Sequence, residues 1–113
     1  MEKKIFNVLN KVGVPCNLKG RAYIETAIKI VAEKGNISTT KELYPEIARK
    51  HNTIPTRVER AIRHAVACAF DHCDNDILVD IFGNTINRNS GKVTNQTVIY
   101  GIEKYLKINR EGK

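Results

Sequence analysis

Residues 43–65, LYPEIARKHNTIPTRVERAIRHA, have the pattern of two helices joined by a tight turn. In a helix-turn-helix, a small residue lies where the first helix crosses the second, and the turn holds a residue that tolerates unusual backbone angles. Ala48 is the small residue, and Asn52 is of a type that visits the left-handed region more readily than most. Aliphatic residues of the second helix follow at Val58, Ala61 and Ile62. The stretch therefore predicts a helix-turn-helix over about residues 39–73.

The second of these helices is predicted to run from Pro55 to about Cys73. Proline suits the first position of a helix, because its missing N–H would have no partner there. Thr56 followed by Glu59 fits a capping box, and Thr53 is an alternative cap.

Apolar residues of this helix recur on one side, which predicts a polar side facing solvent. The inward positions are Val58, Ile62, Ala65, Val66, Ala69 and Phe70, and the outward positions are Thr56, Arg57, Glu59, Arg60, Arg63, His64 and Ala67. Arginine can donate two hydrogen bonds to guanine O6 and N7, and glutamate can accept one from cytosine N4. The outward side is therefore typical of a helix that reads bases in the major groove. The alternative is a solvated face whose arginines pair with Glu59.

Glycine and proline divide the rest of the chain into further helical segments, so the predicted fold class is all-α, a compact bundle of about six helices. We expect Thr39 or Thr40 to cap the third helix, with Pro45 in its first turns. Residues 84–93 are polar and contain glycine, as in an irregular loop or a small hairpin.

The start of the last helix is a second candidate for phosphate binding. Thr94 or Asn95 is expected to cap this helix, and Lys92 lies just before it. Unpaired N–H groups at a helix N-terminus, beside a lysine, bind phosphate oxygens readily. The alternative is an ordinary capped helix with a surface lysine.

Composition limits which partners and which classes of protein are expected. The chain has 113 residues, 42% of them hydrophobic, which predicts one domain over residues 1–113 with a single core. The net charge of +7 favours an anionic partner such as nucleic acid or a membrane surface. Three cysteines without disulfide spacing, no signal peptide and no long apolar run predict a cytoplasmic, nucleoid-associated protein that does not enter the membrane. No phosphate loop, nucleophile elbow or carboxylate dyad is present, so an enzyme is not expected.

A metal site is also not expected. Three potential ligands recur along the predicted recognition helix and one lies beside them: His64, Cys68, His72 and Cys73. Zinc needs four converging ligands and a straight helix usually contributes two. Elsewhere only Cys16 and His51 occur, singly, so we predict neither a metal nor another cofactor.

Five segments carry a resemblance to a known family: GVPCNLKGRAYIETAI, LYPEIARKHN, TRVERAIRHA, FGNTI and GKVTNQ. From about Ile5 to Leu106 the sequence closely resembles the C-terminal effector domains of stage-zero sporulation protein A, the master response regulator of endospore formation. The string RVERAIRHA is highly specific to that family.

The resemblance implies a six-helix bundle that binds a short box similar to TGTCGAA, often as head-to-tail pairs on tandem boxes. It places base-reading residues at Thr56, Glu59, Arg60, Arg63 and His64, and a phosphate contact at Arg57. The chemistry of the last helix's N-terminus adds Lys92, Thr94 and Asn95 as candidate phosphate contacts. It further implies that residues from about Cys73 to Ile86 contact the RNA polymerase sigma factor. Within this segment we predict Asp76 and Phe82 as the contact residues. The last helix is expected to contact a neighbouring domain.

The chain departs from the family in some respects. The connection around Gly35–Thr40 looks shorter, and Val93 stands where proline is expected. No receiver domain is expected in this chain, which leaves open a dissected effector domain or a stand-alone relative. The hypotheses are a sequence-specific transcription regulator, a non-specific or architectural nucleic-acid binder, and a basic protein-interaction module.

Overall fold

The computed structural model describes residues 2–35, 37–83 and 94–111. Within them the chain forms six α-helices and one π-helical segment, and no strand. The helices are α1 (Glu2–Val12), α2 (Lys19–Lys34), α3 (Tyr44–Lys50), α4 (Pro55–His72), α5 (Asn75–Phe82) and α6 (Asn95–Glu111). The all-α, six-helix prediction is confirmed, whereas the predictions for residues 84–93, including Lys92, lie outside the described part of the chain.

Helix α2 is the centre of the bundle, because it contacts α1, α3, α4 and α6. Each of these helices turns aliphatic side chains toward a common core, as their helical spacing requires. The largest fully buried side chains are Ile5, Leu9, Ile24, Ile28, Leu43, Ile47, Ile62, Leu78, Ile99 and Ile102. In the described residues, no helix has both the length and the apolar character of a membrane span.

Helices α2 and α4 approach each other closely at Gly20. A Cβ atom built on Gly20 would overlap the backbone of Ala61, with the carbonyl carbon at 2.8 Å, and would lie 2.8 Å from the Cβ of Ala65. Only glycine lets the two backbones come this near, since any other residue places a carbon between them. Gly20 therefore fixes how deeply α4 is seated against α2.

A buried arginine fixes the start of α2 against α1. Nη1 of Arg21 donates to the carbonyl of Val14 at 2.7 Å, Nη2 donates to the carbonyl of Phe6 at 3.1 Å, and Nε pairs with Glu25 at 3.3 Å. The guanidinium also lies 4.9 Å from the centre of the Phe6 ring. A buried charge needs such partners to offset its lost hydration. Arg21 is thus a structural residue, which its charge alone did not predict.

The segment before α3 differs from the prediction. Residues Thr39–Leu43 are π-helical, with the N–H groups of Leu43 and Tyr44 donating to carbonyls five positions back. Pro45 explains this, because proline lacks an N–H and its ring clashes with the carbonyl four residues earlier, so a widened turn relieves the contact. The predicted caps at Thr39 and Thr40 are wrong: Ser38 is the cap, and its Oγ accepts from the N–H of Lys41 at 3.3 Å.

The N-terminus of α4 also differs in its cap. Proline restricts the preceding residue to the extended region, and Ile54 accordingly has φ −116° and ψ 154°. The N-cap position therefore falls on Ile54, which has no side-chain acceptor. The predicted capping box of Thr56 and Glu59, and the alternative cap at Thr53, are both wrong.

We expect Gly20→Ala to lower the free energy of unfolding by about 1–3 kcal/mol, because the added methyl forces α2 and α4 apart. Denaturant titration followed by circular dichroism measures this. Gly101→Ala is the control, since its Cβ would meet a side chain, the Phe82 ring (nearest atom at 2.6 Å), and no backbone of another helix. The control should lose less stability; a Gly20→Ala protein as stable as the wild type would contradict the importance of the close approach.

Candidate nucleic-acid interface

The turn between α3 and α4 has the backbone that the sequence predicted. Asn52 has φ +54° and is the only described residue other than glycine with a positive φ. The N–H of Thr53 donates to the carbonyl of Ala48 at 2.9 Å, and the N–H of His51 donates to that of Ile47 at 3.0 Å. The bond from Thr53 spans a left-handed residue, as in a Schellman motif, and closes the end of α3. The prediction that Asn52 supplies the left-handed turn is confirmed.

Contacts with α2 hold α3 and this turn in place. Nζ of Lys34 lies 2.7 Å from Oε1 of Glu46, and this ammonium lowers the pKa of the Glu46 carboxyl. Nε2 of His51 lies 2.8 Å from Oγ1 of Thr26, and the His51 ring meets the edge of Tyr23 with the ring centres 5.0 Å apart. These three contacts join residues distant in sequence, so no local pattern predicted them.

Helix α4 divides into a buried side and an exposed side. The buried residues are Val58, Ile62, Ala65, Val66 and Ala69. The exposed residues of its first three turns are Pro55, Thr56, Arg57, Arg60, Arg63 and His64, with Glu59 half-buried beside them. The predicted inward and outward positions are thus confirmed, except that Glu59 and Phe70 are intermediate. We call the exposed set, Thr56, Arg57, Glu59, Arg60, Arg63 and His64, the α4 polar face.

Most of the positive charge on the α4 polar face is uncommitted. Nη2 of Arg63 lies 3.4 Å from Oε1 of Glu59, and the Arg63 side chain is still 65% exposed. Arg57 and Arg60 make no ion pair within the described part of the chain. An exposed pair one helical turn apart stabilises a protein by only about 0.3–0.5 kcal/mol, so an external partner can displace it. The alternative in which Glu59 holds all three arginines is therefore wrong for Arg57 and Arg60.

Asn95, predicted as a phosphate contact, instead joins the first turn of α6 to the helix-turn-helix. Its side chain is 93% buried, with a relative exposure of 7%. Nδ2 donates to the hydroxyl of Tyr44 at 3.0 Å and to the carbonyl of Glu59 at 3.2 Å, so both amide hydrogens are used. Burial raises the pKa of the Tyr44 phenol, which stays protonated at neutral pH. The amide has no donor left for a phosphate. The prediction that the Asn95 side chain binds phosphate is therefore corrected.

Thr94 is the cap of α6. Its Oγ1 accepts from the N–H of Thr97 at 3.1 Å and lies 2.8 Å from the Thr97 hydroxyl. The predicted cap at Thr94 is confirmed, and the residue is exposed at the surface. The structure therefore leaves Thr94 accessible near the α4 polar face.

The two residues named for a polymerase contact lie in different environments. Asp76 is exposed on the first turn of α5. Phe82 is only 5% exposed, and its ring packs against Phe70 with the ring centres 5.8 Å apart and against Gly101 of α6. A side chain of the core cannot contact a second protein directly, so the assignment of Phe82 is corrected.

The histidines and cysteines of α4 contact one another along the helix without converging. Sγ of Cys68 lies 3.8 Å from Nε2 of His64, and Nδ1 of His72 lies 3.0 Å from the carbonyl of Cys68. Cys73 is buried and Cys16 is exposed. Among the residues that the structure describes, no three metal-type side chains come together.

One exposed residue at this surface was not predicted. Ile54, directly before α4, is 54% exposed although it is a large aliphatic residue. The sequence did contain a signal for this exposure: Ile54 is an apolar residue in a polar turn and does not belong to the apolar side of either helix.

An all-helical bundle, a turn closed by a left-handed asparagine and an exposed cationic helix define a helix-turn-helix domain. The family model for the C-terminal domain of the sporulation initiation factor Spo0A matches residues 5–106. The chain belongs to this family, whose members are DNA-binding effector domains of a sporulation response regulator. The resemblance stated from the sequence is confirmed over the same range.

We expect Asn95→Ala to lower the free energy of unfolding by about 1–3 kcal/mol, because it leaves the buried Tyr44 hydroxyl without its donor. Tyr44→Phe should lose less, about 0.5–1.5 kcal/mol, since Asn95 keeps its bond to Glu59. Thermal and denaturant unfolding measure both, and the double variant should lose less than the sum of the two. Unchanged stability with weakened DNA binding would instead restore Asn95 as a phosphate contact.

Proposed function

We propose that this domain reads a TGTCGAA-like box in the major groove with the α4 polar face. The observation that carries the proposal is the pairing of an anchored apolar side of α4 with two exposed, uncommitted guanidinium groups at Arg57 and Arg60. A helix held rigidly from behind presents its donors with little further loss of backbone freedom on binding. The family membership supports double-stranded DNA as the partner.

Each residue of the α4 polar face has a chemical role in the proposal. Arg60 and Arg63 donate to guanine O6 and N7, and Glu59 accepts from cytosine N4. Thr56 and His64 contact neighbouring bases, and Arg57 contacts a phosphate. A second phosphate is bound by Thr94 and by the backbone N–H groups at the start of α6. Lys92, which lies outside the described residues, contacts the same phosphate.

The Glu59–Arg63 pair gives this surface a way to exchange partners. Both side chains are at least one third exposed, and Nη2 of Arg63 lies 3.4 Å from Oε1 of Glu59. On the box, Glu59 turns to a cytosine amine and Arg63 to a guanine, so each weak internal contact is replaced by a base contact. A wrong base leaves one of the two without a partner, which adds discrimination.

Two protein contacts belong to the same proposal. In the proposal, Asp76, exposed on α5, contacts a sigma factor of RNA polymerase. We further propose that α6, where Ile108 is exposed, contacts a second domain bound head-to-tail on a tandem box.

Arg60→Ala is expected to weaken binding to the box by about 1–3 kcal/mol and to relax the preference at one guanine. Fluorescence anisotropy with duplexes substituted at single base pairs measures both effects. Arg60→Lys is the control, because it keeps the charge and loses the two-donor geometry. It should retain binding to scrambled DNA while losing the guanine preference; an equal loss on boxed and scrambled duplexes would refute base reading by Arg60.

Arg57→Ala, in contrast, should weaken boxed and scrambled duplexes alike, because a phosphate has the same charge in any sequence. The slope of log affinity against log salt should become shallower by about 0.9, the value for one phosphate contact. Wild-type binding should fall steeply with salt and favour the box by ~10³-fold or more. No preference for the box would indicate an architectural binder, and a flat salt response would indicate a protein partner.

A further inference from the structure

Ile54 has no structural task that explains its exposure. The side chain is 54% exposed, so it contributes little to the core. It occupies the N-cap position of α4 but has no polar atom, so it cannot bond to the unpaired N–H groups of the first turn. Serine, threonine, aspartate or asparagine would serve better there, and an exposed aliphatic side chain adds nothing to solubility.

The position of Ile54 places it among groups that face DNA in the proposed function. It directly precedes Pro55, Thr56 and Arg57, all of which are exposed. In a helix-turn-helix, the N-terminal residues of the second helix are the ones that contact base edges. Ile54 is thus an apolar group at the end of α4 that approaches the bases.

Only one base presents an apolar group in the major groove, since thymine carries its C5-methyl there while the other base edges offer donors and acceptors. An aliphatic side chain that meets this methyl removes apolar surface from water on both partners. We propose that Ile54 is a specificity residue that recognises one thymine of the DNA site through its C5-methyl group. The inference rests on the proposed function and adds a base contact that hydrogen-bonding residues do not supply.

Replacing thymine by deoxyuridine tests the inference, because this substitution removes the methyl and keeps every hydrogen-bonding group. Each thymine of the box, on either strand, is replaced in turn, and the dissociation constant is measured by anisotropy. For the wild type we expect about a fourfold loss at one thymine, the size expected for one methyl-sized group left in water. For Ile54→Ala, which should bind the unmodified box more weakly, the same replacement should have little effect.

Two variants serve as controls. Ile54→Val keeps a branched aliphatic side chain and should keep most of the thymine preference. Val79→Ala truncates an aliphatic residue of similar exposure, 51%, on α5, and should leave the preference unchanged. Because Ile54 is exposed, its truncation should change the unfolding temperature little, and circular dichroism checks this.

The outcomes separate this inference from the proposed function. A wild-type domain that binds boxed and scrambled duplexes equally refutes the proposed function. A wild type that prefers the box but tolerates deoxyuridine at every position overturns the Ile54 inference alone, whether or not the variants fold. The inference is also overturned if Ile54→Ala keeps the full thymine preference, or loses affinity equally on scrambled duplexes, as expected for contact with a sugar.

Discussion

The contact between the backbones of α2 and α4 is the constraint on which the rest of the structure depends. At Gly20 the two helices are so close that a single methyl group has no space. The same contact places the apolar side of α4 in the core, namely Val58, Ile62 and the small residues that follow. Because α4 cannot rotate about its axis without exposing this aliphatic side, the direction of its polar face is fixed as well. A surface that reads DNA needs this rigidity, since a displacement of about 1 Å misaligns two-donor hydrogen bonds.

Helix α6 holds α4 from a second direction. The Asn95 amide bonds to Tyr44, at the start of α3, and to the Glu59 carbonyl on α4, so one buried side chain links three helices. The carbonyl belongs to Glu59, whose carboxylate pairs with Arg63. A buried polar group of this kind stabilises one arrangement of the helices strongly, because any other arrangement leaves its donors unpaired. Asn95 therefore contributes to the position of α4 and of the α4 polar face.

The sequence predicted those features that depend on local periodicity and missed those that depend on a partner elsewhere. The two sides of α4 and the left-handed Asn52 follow from spacing and from the conformational preference of single residues. The burial of Asn95 and Phe82 depends on contacts with Tyr44 and Gly101, which are distant in sequence. The cap of α4 differs from the prediction because Pro55 restricts Ile54 to the extended region, which outweighs the preference of a threonine for the N-cap position. Errors of this type are concentrated at helix ends, where several local interactions of similar energy compete.

The N-terminus of α4, like that of α2, lacks the side-chain cap and the acidic residue that stabilise the start of an isolated helix. Its N-cap offers no side-chain acceptor and its first turn has no acidic residue, although the unpaired N–H groups there carry partial positive charge. Arg57 adds a full positive charge to the same turn, and Arg60 follows one turn later, so the end of the helix repels itself electrostatically. By contrast, the start of α6 is capped by Thr94. The packing of the apolar side of α4 offsets this repulsion, and an anion brought to the α4 polar face would remove it. A departure from local stability that an anionic partner would correct fits the proposed contact of the α4 polar face with DNA.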